Sequence, residues 1–241
     1  MDHTLNEFGQ PIGLPLPDWT APPRPAREPT VGRYCRLEPL QPAIHAAALY
    51  EAYAGNDPGW TYLACGPFRS LEAYRDWVDS VHAADDPMFF AILDHAKPVG
   101  VASYMRITPS AGSIEVGHVN YSPALQQSAA ATEAMYLMMD TAFRLGYRRY
   151  EWKCDALNAA SCAAARRLGF SYEGTFRQAT VYKGRNRDTA WYSIIDSEWP
   201  ALREAYEKWL DPTNFDSSGR QLSRLSDLTR TLSGEAGPVD K

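Results

Sequence analysis

Cysteine is scarce in this sequence and is not arranged to bind a metal. The 241 residues contain four cysteines, none in a Cys-x-x-Cys pair and none accompanied by a histidine cluster. A zinc site needs thiolate and imidazole ligands at such short spacings, so we predict no metal site. In a reducing cytosol we expect no disulfide either. The thiols are predicted to pack as small apolar side chains: Cys35, Cys65, Cys154 and Cys162.

Long apolar runs and runs of basic residues are absent as well. The longest apolar stretches fall well short of the ~20 residues that span a bilayer, and the chain does not begin with a basic segment followed by an apolar one. The net charge is −5 without a Lys/Arg cluster, whereas nucleic-acid binding depends on clustered cations. These absences predict a cytoplasmic protein with neither a membrane segment nor a nucleic-acid partner.

Proline is abundant, and its distribution divides the chain. Seven of the eighteen prolines lie in residues 1–30, which excludes a helix or a central strand there and predicts an extended, proline-rich arm. We favour an arm that lies on the protein's own surface, with partner recognition as the alternative. The apolar fraction of 45% supports a core in residues 31–210. Residues 211–241 read as a polar tail, disordered from about residue 232.

Hydrophobic periodicity in residues 31–210 predicts a mixed α+β fold. We predict strands at 33–39, 88–93, 99–107, 113–121, 149–154, 171–182 and 189–196, and helices at 42–53, 71–81, 128–145, 158–168 and after Ser197. The strand 113–121 alternates between two faces. The alternation puts Ile114, Val116 and His118 on one face and Glu115, Gly117, Val119 and Tyr121 on the other.

Two strand-to-helix junctions carry the functional signal. The strand 113–121 leads into Ser128-Ala129-Ala130-Ala131, where a helix begins among small side chains. Its first backbone N–H groups are then bare at the positive end of the helix dipole, which favours phosphate. The second junction is Asn158-x-x-Ser161, after the strand 149–154. Together they suggest a site that holds a phosphorylated carrier at one junction and performs chemistry at the other.

The order of these motifs resembles that of the GNAT superfamily of acyl-coenzyme A-dependent N-acyltransferases. The motifs are Gln126-x-x-Ala-x-Ala-Thr-Glu-Ala, Asn158-x-x-Ser, Arg167-Leu-Gly-Phe, Glu173-Gly and Arg177. The nearest branch is the Rim type of ribosomal-protein N-terminal acetyltransferases, over residues 31–200. The resemblance implies a mostly antiparallel, twisted sheet, splayed in the middle and flanked by helices on both faces. It also implies transfer of an acetyl or similar acyl group from acyl-coenzyme A to a primary amine of a small molecule or a protein N-terminus. Dimers are common in such folds, so a homodimer stays open.

The resemblance also assigns residues to coenzyme A. The pyrophosphate is expected on the backbone of Gln126, Gln127, Ser128, Ala129, Ala130, Ala131 and Thr132. Ala129 stands where the family has a glycine, and without the resemblance this segment also fits an ordinary tight connection. Val119 and Tyr121 are expected to offer backbone groups to the pantetheine arm, one of which polarises the thioester carbonyl. Asn158 is expected to hydrogen-bond the arm, although Asn is also a good helix N-cap.

Direct attack of the amine on the thioester needs a proton donor near the departing sulfur and a base that removes a proton from the amine. Ser161 matches the hydroxyl that, in the Rim branch, protonates the leaving sulfur. The alternative is that Ser161 is only a small helix residue whose hydroxyl bonds back to a backbone carbonyl. The glutamate of the Rim branch has no counterpart here, since its position falls near Thr180. We choose Glu115 as the base, acting through water if burial raises its pKa, with a sheet ion pair as the alternative. His118 and Asp155 are further candidates, but a packed core histidine and a helix cap are the simpler interpretations.

The acceptor pocket is expected between the loop 55–68, the first helices and the terminal hairpin. Its predicted aromatic lining is Trp60, Tyr62, Tyr104 and Trp152, with Tyr182 and Trp191 also considered. Because the glutamate is missing and Ala129 replaces glycine, a non-catalytic acyl-coenzyme A binding or regulatory module is the alternative function. A partner-binding protein that uses the proline-rich arm and binds no coenzyme A is a third.

Overall fold

The computed structural model describes residues 3–230, and its centre is one eight-stranded sheet. The strands are β1 (Thr4–Leu5), β2 (Pro11–Ile12), β3 (Thr30–Val31), β4 (Arg36–Pro39), β5 (Met88–Asp94), β6 (Lys97–Thr108), β7 (Ser113–Tyr121), β8 (Arg149–Asp155), β9 (Ser171–Tyr182) and β10 (Arg185–Ile195). The sheet order is β3-β4-β5-β6-β7-β8-β10-β9, and β1 and β2 form a separate hairpin. Within the sheet β7 and β8 pair in parallel, and the other neighbours pair antiparallel.

Helices cover both faces of this sheet. They are α1 (Pro42–Ala52), α2 (Leu71–Val81), α3 (Ala129–Arg144), α4 (Ala159–Arg167), α5 (Trp199–Leu210) and α6 (Leu225–Thr229). Neighbouring residues of β5 show the two layers, since Phe89 packs with α1 and α2 whereas Phe90 packs in the core under α3 to α6. The predicted α+β class, with a mostly antiparallel sheet between helices, is confirmed.

The sheet opens between β7 and β8. Their pairing runs from Ser113 opposite Arg149 to Val116 opposite Trp152 and then stops. Beyond Val116 no strand of residues 3–230 pairs with β7 on that side. The expected splay in the middle of the sheet is therefore present.

A bulge in β7 overturns the simple alternation expected from the sequence. Val101 of β6 pairs with Asn120 and Ser103 pairs with Gly117, so β7 holds one extra residue between these pairs. His118 takes the positive φ of 49° that accommodates it. Its ring consequently packs on Phe89, on the α1–α2 face. The prediction that His118 shares a face with Ile114 and Val116 is wrong: Val119 and Tyr121 pack on their α3 side instead.

Both terminal regions make contacts with the domain. In the arm, Arg24 donates to the Asp85 carbonyl at 2.8 Å and Arg27 to the His82 carbonyl at 2.7 Å. In the tail, Leu225 is buried in the α3-side core and Gln221 accepts a hydrogen bond from the Trp209 indole at 2.9 Å. The division into arm, domain and tail stays a prediction, and the stretch expected to be disordered lies outside the described residues. Among residues 3–230, no helix has the length and apolar character of a membrane span.

Candidate active site

The junction between β7 and α3 has the local structure expected of an anion cradle. Ser128 caps α3 by accepting the Ala131 N–H at 3.0 Å, and Gln127 turns the chain with a φ of 58°. The N–H groups of Ala129 and Ala130, in the first turn, have no intrahelical acceptor. Because α3 begins at Ala129 with ordinary helical geometry, alanine fits where the family has glycine. The residues present therefore fit a bound diphosphate.

Two side chains of the predicted cradle are turned away from it. Gln126 folds back and donates its Nε2–H to the Tyr121 carbonyl at 3.2 Å. Thr132 is buried, and its Oγ1 accepts a hydrogen bond from Arg167 Nη2 at 3.1 Å. The same bond brings a cation near the N-terminus of α3. The cradle is therefore made of backbone groups rather than of these side chains.

The junction between β8 and α4 positions Asn158 and Ser161. Asn158 Oδ1 accepts the Ser161 N–H at 3.1 Å and so caps α4, while its side-chain NH2 group has no partner within residues 3–230. Ser161 Oγ accepts the Trp152 indole N–H at 3.0 Å. Since that bond uses a lone pair of the oxygen, the serine keeps its own proton for another acceptor.

Glu115 lies in the closed part of the sheet and is ion-paired. Its Oε1 is 2.7 Å from Arg106 Nη1, and its Oε2 is 2.9 Å from Lys153 Nζ. Burial raises the pKa of Glu115, and the two cations oppose this effect. The carboxylate stands before the point where β7 and β8 separate, opposite Glu151. This is the sheet ion pair that the sequence left open as the alternative to a base, and the role of a base stays a prediction.

The ion pair of Glu115 continues into a longer network. Lys153 Nζ also lies 2.6 Å from Glu151 Oε2, and Arg149 Nε lies 2.6 Å from Glu151 Oε1. Arg149 reaches on to Glu173, with Nη1 donating to Oε1 at 2.7 Å. The alternating charges join β7, β8 and β9. Sequence reasoning missed this network because it depends on the register of the parallel pair.

His118 occupies the bulge just past the last pair of β7 and β8. Its Nδ1 is 3.0 Å from Ser103 Oγ, and its ring centroid is 4.9 Å from that of Phe89. Burial lowers the pKa of His118, and the nearby positive charges of Arg106 and Arg187 lower it further. The ring is therefore neutral at pH 7. The ring lies on the same face of the sheet as Glu115, whereas the sequence predicted opposite faces.

Three side-chain contacts close the α1–α2 side of the opening. Tyr62 donates its hydroxyl to the Leu157 carbonyl at 3.1 Å, and Lys183 donates to the Trp60 carbonyl at 2.7 Å. Tyr182 donates to Asp155 Oδ2 at 2.9 Å. These bonds bring the loop 55–68, the tip of the β9–β10 hairpin and the start of α4 together.

The predicted aromatic lining divides between the two faces. Trp60 and Tyr62 lie in the loop at the opening, and Trp60 also borders a cavity of about 210 Å³ next to α1 and α2. Tyr104 is buried in the α3-side core and donates to the Met138 carbonyl at 2.8 Å. Trp152 belongs to the same core and supports Ser161 from below. Both side chains lie on the α3 side of the sheet, and their assignment to the acceptor pocket stays a prediction.

The sequence did not indicate two further residues at the opening, Asn120 and Tyr53. Asn120 is buried with its Nδ2 unpartnered within residues 3–230, and its backbone carbonyl accepts the Tyr53 hydroxyl at 3.0 Å. No local pattern in the sequence marks either residue. Asp155 does not cap α4, whose N-cap is Asn158; its Oδ1 accepts the Leu157 N–H at 2.9 Å and so fixes the turn before that helix.

Comparison with known proteins agrees with this geometry. The acetyltransferase (GNAT) domain family matches residues 35–171. A GCN5-related N-acetyltransferase from Brucella melitensis has 45% identity and a TM-score of 0.87, over 89% of this chain and all of that one. A probable GNAT-family acetyltransferase from Chromobacterium violaceum has 42% identity and a TM-score of 0.76, over 80% of this chain and 98% of that one.

A more distant structure belongs to the Rim type. It is a Salmonella typhimurium acetyltransferase that modifies the N-terminal serine of ribosomal protein L7/L12, with 25% identity and a TM-score of 0.61 over 70% of this chain and 99% of that one. A search of curated proteins gave no match. GNAT enzymes use acetyl-coenzyme A and acetylate amine acceptors. The chain belongs to the GNAT family of acetyltransferases.

Proposed function

We propose that the protein transfers an acetyl or similar acyl group from acyl-coenzyme A to a primary amine of a small molecule or a protein N-terminus. The acceptor attacks directly while both substrates are bound. The observation that carries this proposal is the pair of junctions at one opening in the sheet, where the bare amides of Ala129 and Ala130 lie at one junction and the Ser161 hydroxyl at the other.

The chain's own groups divide the binding of the carrier between them. The first turn of α3 holds the diphosphate through backbone N–H groups, with the segment 126–132 as the cradle. Beyond Val116, the unpaired side of β7 offers the backbone of Val119 and Tyr121 to the extended arm. The free NH2 group of Asn158 donates to the same arm from the opposite strand.

Ser161 is placed to assist the leaving group. The thioester supplies the acyl carbon, and its C–S bond breaks as the new C–N bond forms. Ser161 Oγ is fixed by Trp152 and still carries its proton, which it donates or shares as a hydrogen bond with the departing sulfur. Holding both reactants at the opening lowers the barrier further through proximity.

The cysteines near this site do not offer a covalent route. Cys154 and Cys162 are buried with their sulfurs 3.6 Å apart. Burial raises the pKa of Cys154 to about 12, so its thiol stays protonated at neutral pH and is a poor nucleophile. This supports direct attack by the amine rather than an acyl-cysteine intermediate.

The alternative is a non-catalytic acyl-coenzyme A binding or regulatory module, and the ion-paired state of Glu115 favours it. Calorimetry with acetyl-coenzyme A, followed by release of free coenzyme A with a panel of amines and N-terminal peptides, separates the two. We expect binding and turnover with at least one amine. Binding without turnover for the whole panel would establish the regulatory module, and no binding would refute both. The cytoplasmic location belongs to the proposal as well, and a homodimer stays open.

A further inference from the structure

We propose that His118, rather than Glu115, is the general base that removes a proton from the attacking amine. The inference rests on the proposed N-acyltransferase function. It identifies the group on this chain that makes the acceptor nucleophilic.

The position of His118 is the first argument. It lies two residues beyond Val116, where β7 has lost its partner β8. The bulge turns its ring toward the α1–α2 face, on which the loop 55–68 and the hairpin tip close the opening. Val119 and Tyr121 pack on the opposite, α3 side. The imidazole therefore faces the side from which the acceptor enters.

The hydrogen bonds of His118 fix its tautomer. Ser103 Oγ lies 3.1 Å from the Gly117 carbonyl and 3.0 Å from His118 Nδ1. A carbonyl can only accept, so the single hydroxyl proton of Ser103 goes to Gly117. Nδ1 must then be the donor to Ser103 Oγ, and Nε2 carries the lone pair. Nε2 makes no hydrogen bond within residues 3–230, so that lone pair is available to a substrate.

Burial, together with the charges that face His118, keeps its ring neutral. Arg106 of β6 and Arg187 of β10 are positive, and Asp86, in the loop before β5, is negative and opposes them. Phe89 of β5 and Ser103 of β6 contribute only uncharged contacts. Together with burial, the two arginines hold the pKa of His118 below its ordinary value of 6.5. A neutral imidazole at pH 7 is the form that a general base requires.

Glu115 lacks these properties. Both of its oxygens lie against cations, and only about 2% of the residue is exposed. It also precedes the opening, opposite Glu151 in the closed ladder. In the structure, Glu115 forms ion pairs with Lys153 and Arg106.

The proton balance of the step is simple. An acceptor that arrives as an ammonium ion gives one proton to His118 Nε2, which becomes an imidazolium and later releases that proton to water. The neutral nitrogen forms the C–N bond, and the C–S bond breaks. When the amide forms, the amine nitrogen loses a second proton, and this loss balances the proton that the departing thiolate takes up. The net products are the amide, free coenzyme A and one released proton.

The test compares His118→Asn with His95→Asn. Asn tolerates the positive φ at both positions, which is 49° at His118 and 44° at His95. His95 is exposed in the β5–β6 turn and serves as the matched control. The acceptor is the amine with the highest turnover in the panel. We expect kcat to fall about 100-fold or more in His118→Asn only. The Kd for acetyl-coenzyme A should stay within about two-fold, and the loss of kcat/KM in acid should disappear.

A second measurement needs no acceptor. Nitrogen-15 NMR of the histidines should show Nδ1 of His118 protonated, Nε2 unprotonated and a titration below pH 6.5. A variant that keeps kcat within about three-fold, or an Nε2–H tautomer, would overturn the assignment. If the wild-type protein acetylates no amine but NMR shows the neutral Nδ1–H tautomer, the proposed function is wrong and the assigned tautomer of His118 is still correct.

Discussion

Trp152 donates its indole N–H to Ser161 Oγ at 3.0 Å, across the gap between β8 and α4. The bond orients the serine and does not use its hydroxyl proton. A buried aromatic residue of the sheet thus supports the hydroxyl that we place at the departing sulfur.

Replacing Ser161 by Ala should therefore reduce turnover more than binding. We expect kcat to fall roughly 100-fold, with the Kd for acetyl-coenzyme A nearly unchanged, as measured by coenzyme A release and calorimetry. Ser110→Ala, an exposed serine outside the site, is the control. Equal turnover in Ser161→Ala and wild type would remove Ser161 from the mechanism.

Asn158 has two separable functions, and two substitutions distinguish them. Asn158→Ser keeps a capping oxygen but loses the NH2 donor, so it should weaken coenzyme A binding without lowering stability. Asn158→Ala should weaken binding and also cost about 1 kcal/mol in the free energy of unfolding. Calorimetry and urea titration give the two quantities. Wild-type affinity in Asn158→Ser would mean that Asn158 is only a helix cap.

Lys153 should be the most sensitive member of the ion network. It is buried between Glu115 and Glu151, at 2.9 and 2.6 Å, so Lys153→Met leaves two carboxylates without their shared cation. We expect a loss of roughly 3 kcal/mol in the free energy of unfolding. Adding Glu115→Gln should restore part of it. Additive losses in the double variant, measured by urea unfolding, would contradict the coupling.

Glu173 makes the stability of the folded protein depend on pH, and the direction of this dependence follows from its lowered pKa. Hydrogen bonds from Arg149 hold the pKa of Glu173 below its usual 4.5, against a smaller opposing effect of burial. A lowered folded-state pKa adds stability above pH 4.5 that is lost as pH falls through the folded value. Thermal melts between pH 3 and 6 should show a shallower acid loss for Glu173→Gln than for wild type. Parallel curves for the two proteins would show that the contribution is absent.

The features that local sequence determines were predictable. Ser128 and Asn158 cap their helices within three residues, and the small side chains that follow identify the cradle without any knowledge of the sheet. The bulge at Gly117 and His118 was not predictable, because it depends on how β7 pairs with β6. Strict alternation past that point reversed the faces and misplaced His118.

Long-range pairing also decided on which face of the sheet the aromatic residues lie. Tyr104 pairs with Met88 and Val116 and so points under α3. Trp152 pairs with Tyr192 and shares that side, which the motif Asn158-x-x-Ser161 does not reveal. The Glu115 network needs the parallel register of β7 and β8, a contact between distant parts of the chain.

The early end of the β7–β8 ladder has a consequence for the unliganded protein. On the open side past Val116, the Tyr121 carbonyl accepts a hydrogen bond from Gln126, and the peptide groups without a protein partner must satisfy their hydrogen bonds with water. Those solvent molecules leave when an extended ligand enters, and the amide protons of residues 117–121 should then exchange more slowly with deuterium. The incoming molecule thereby takes the place of a missing neighbour in the sheet.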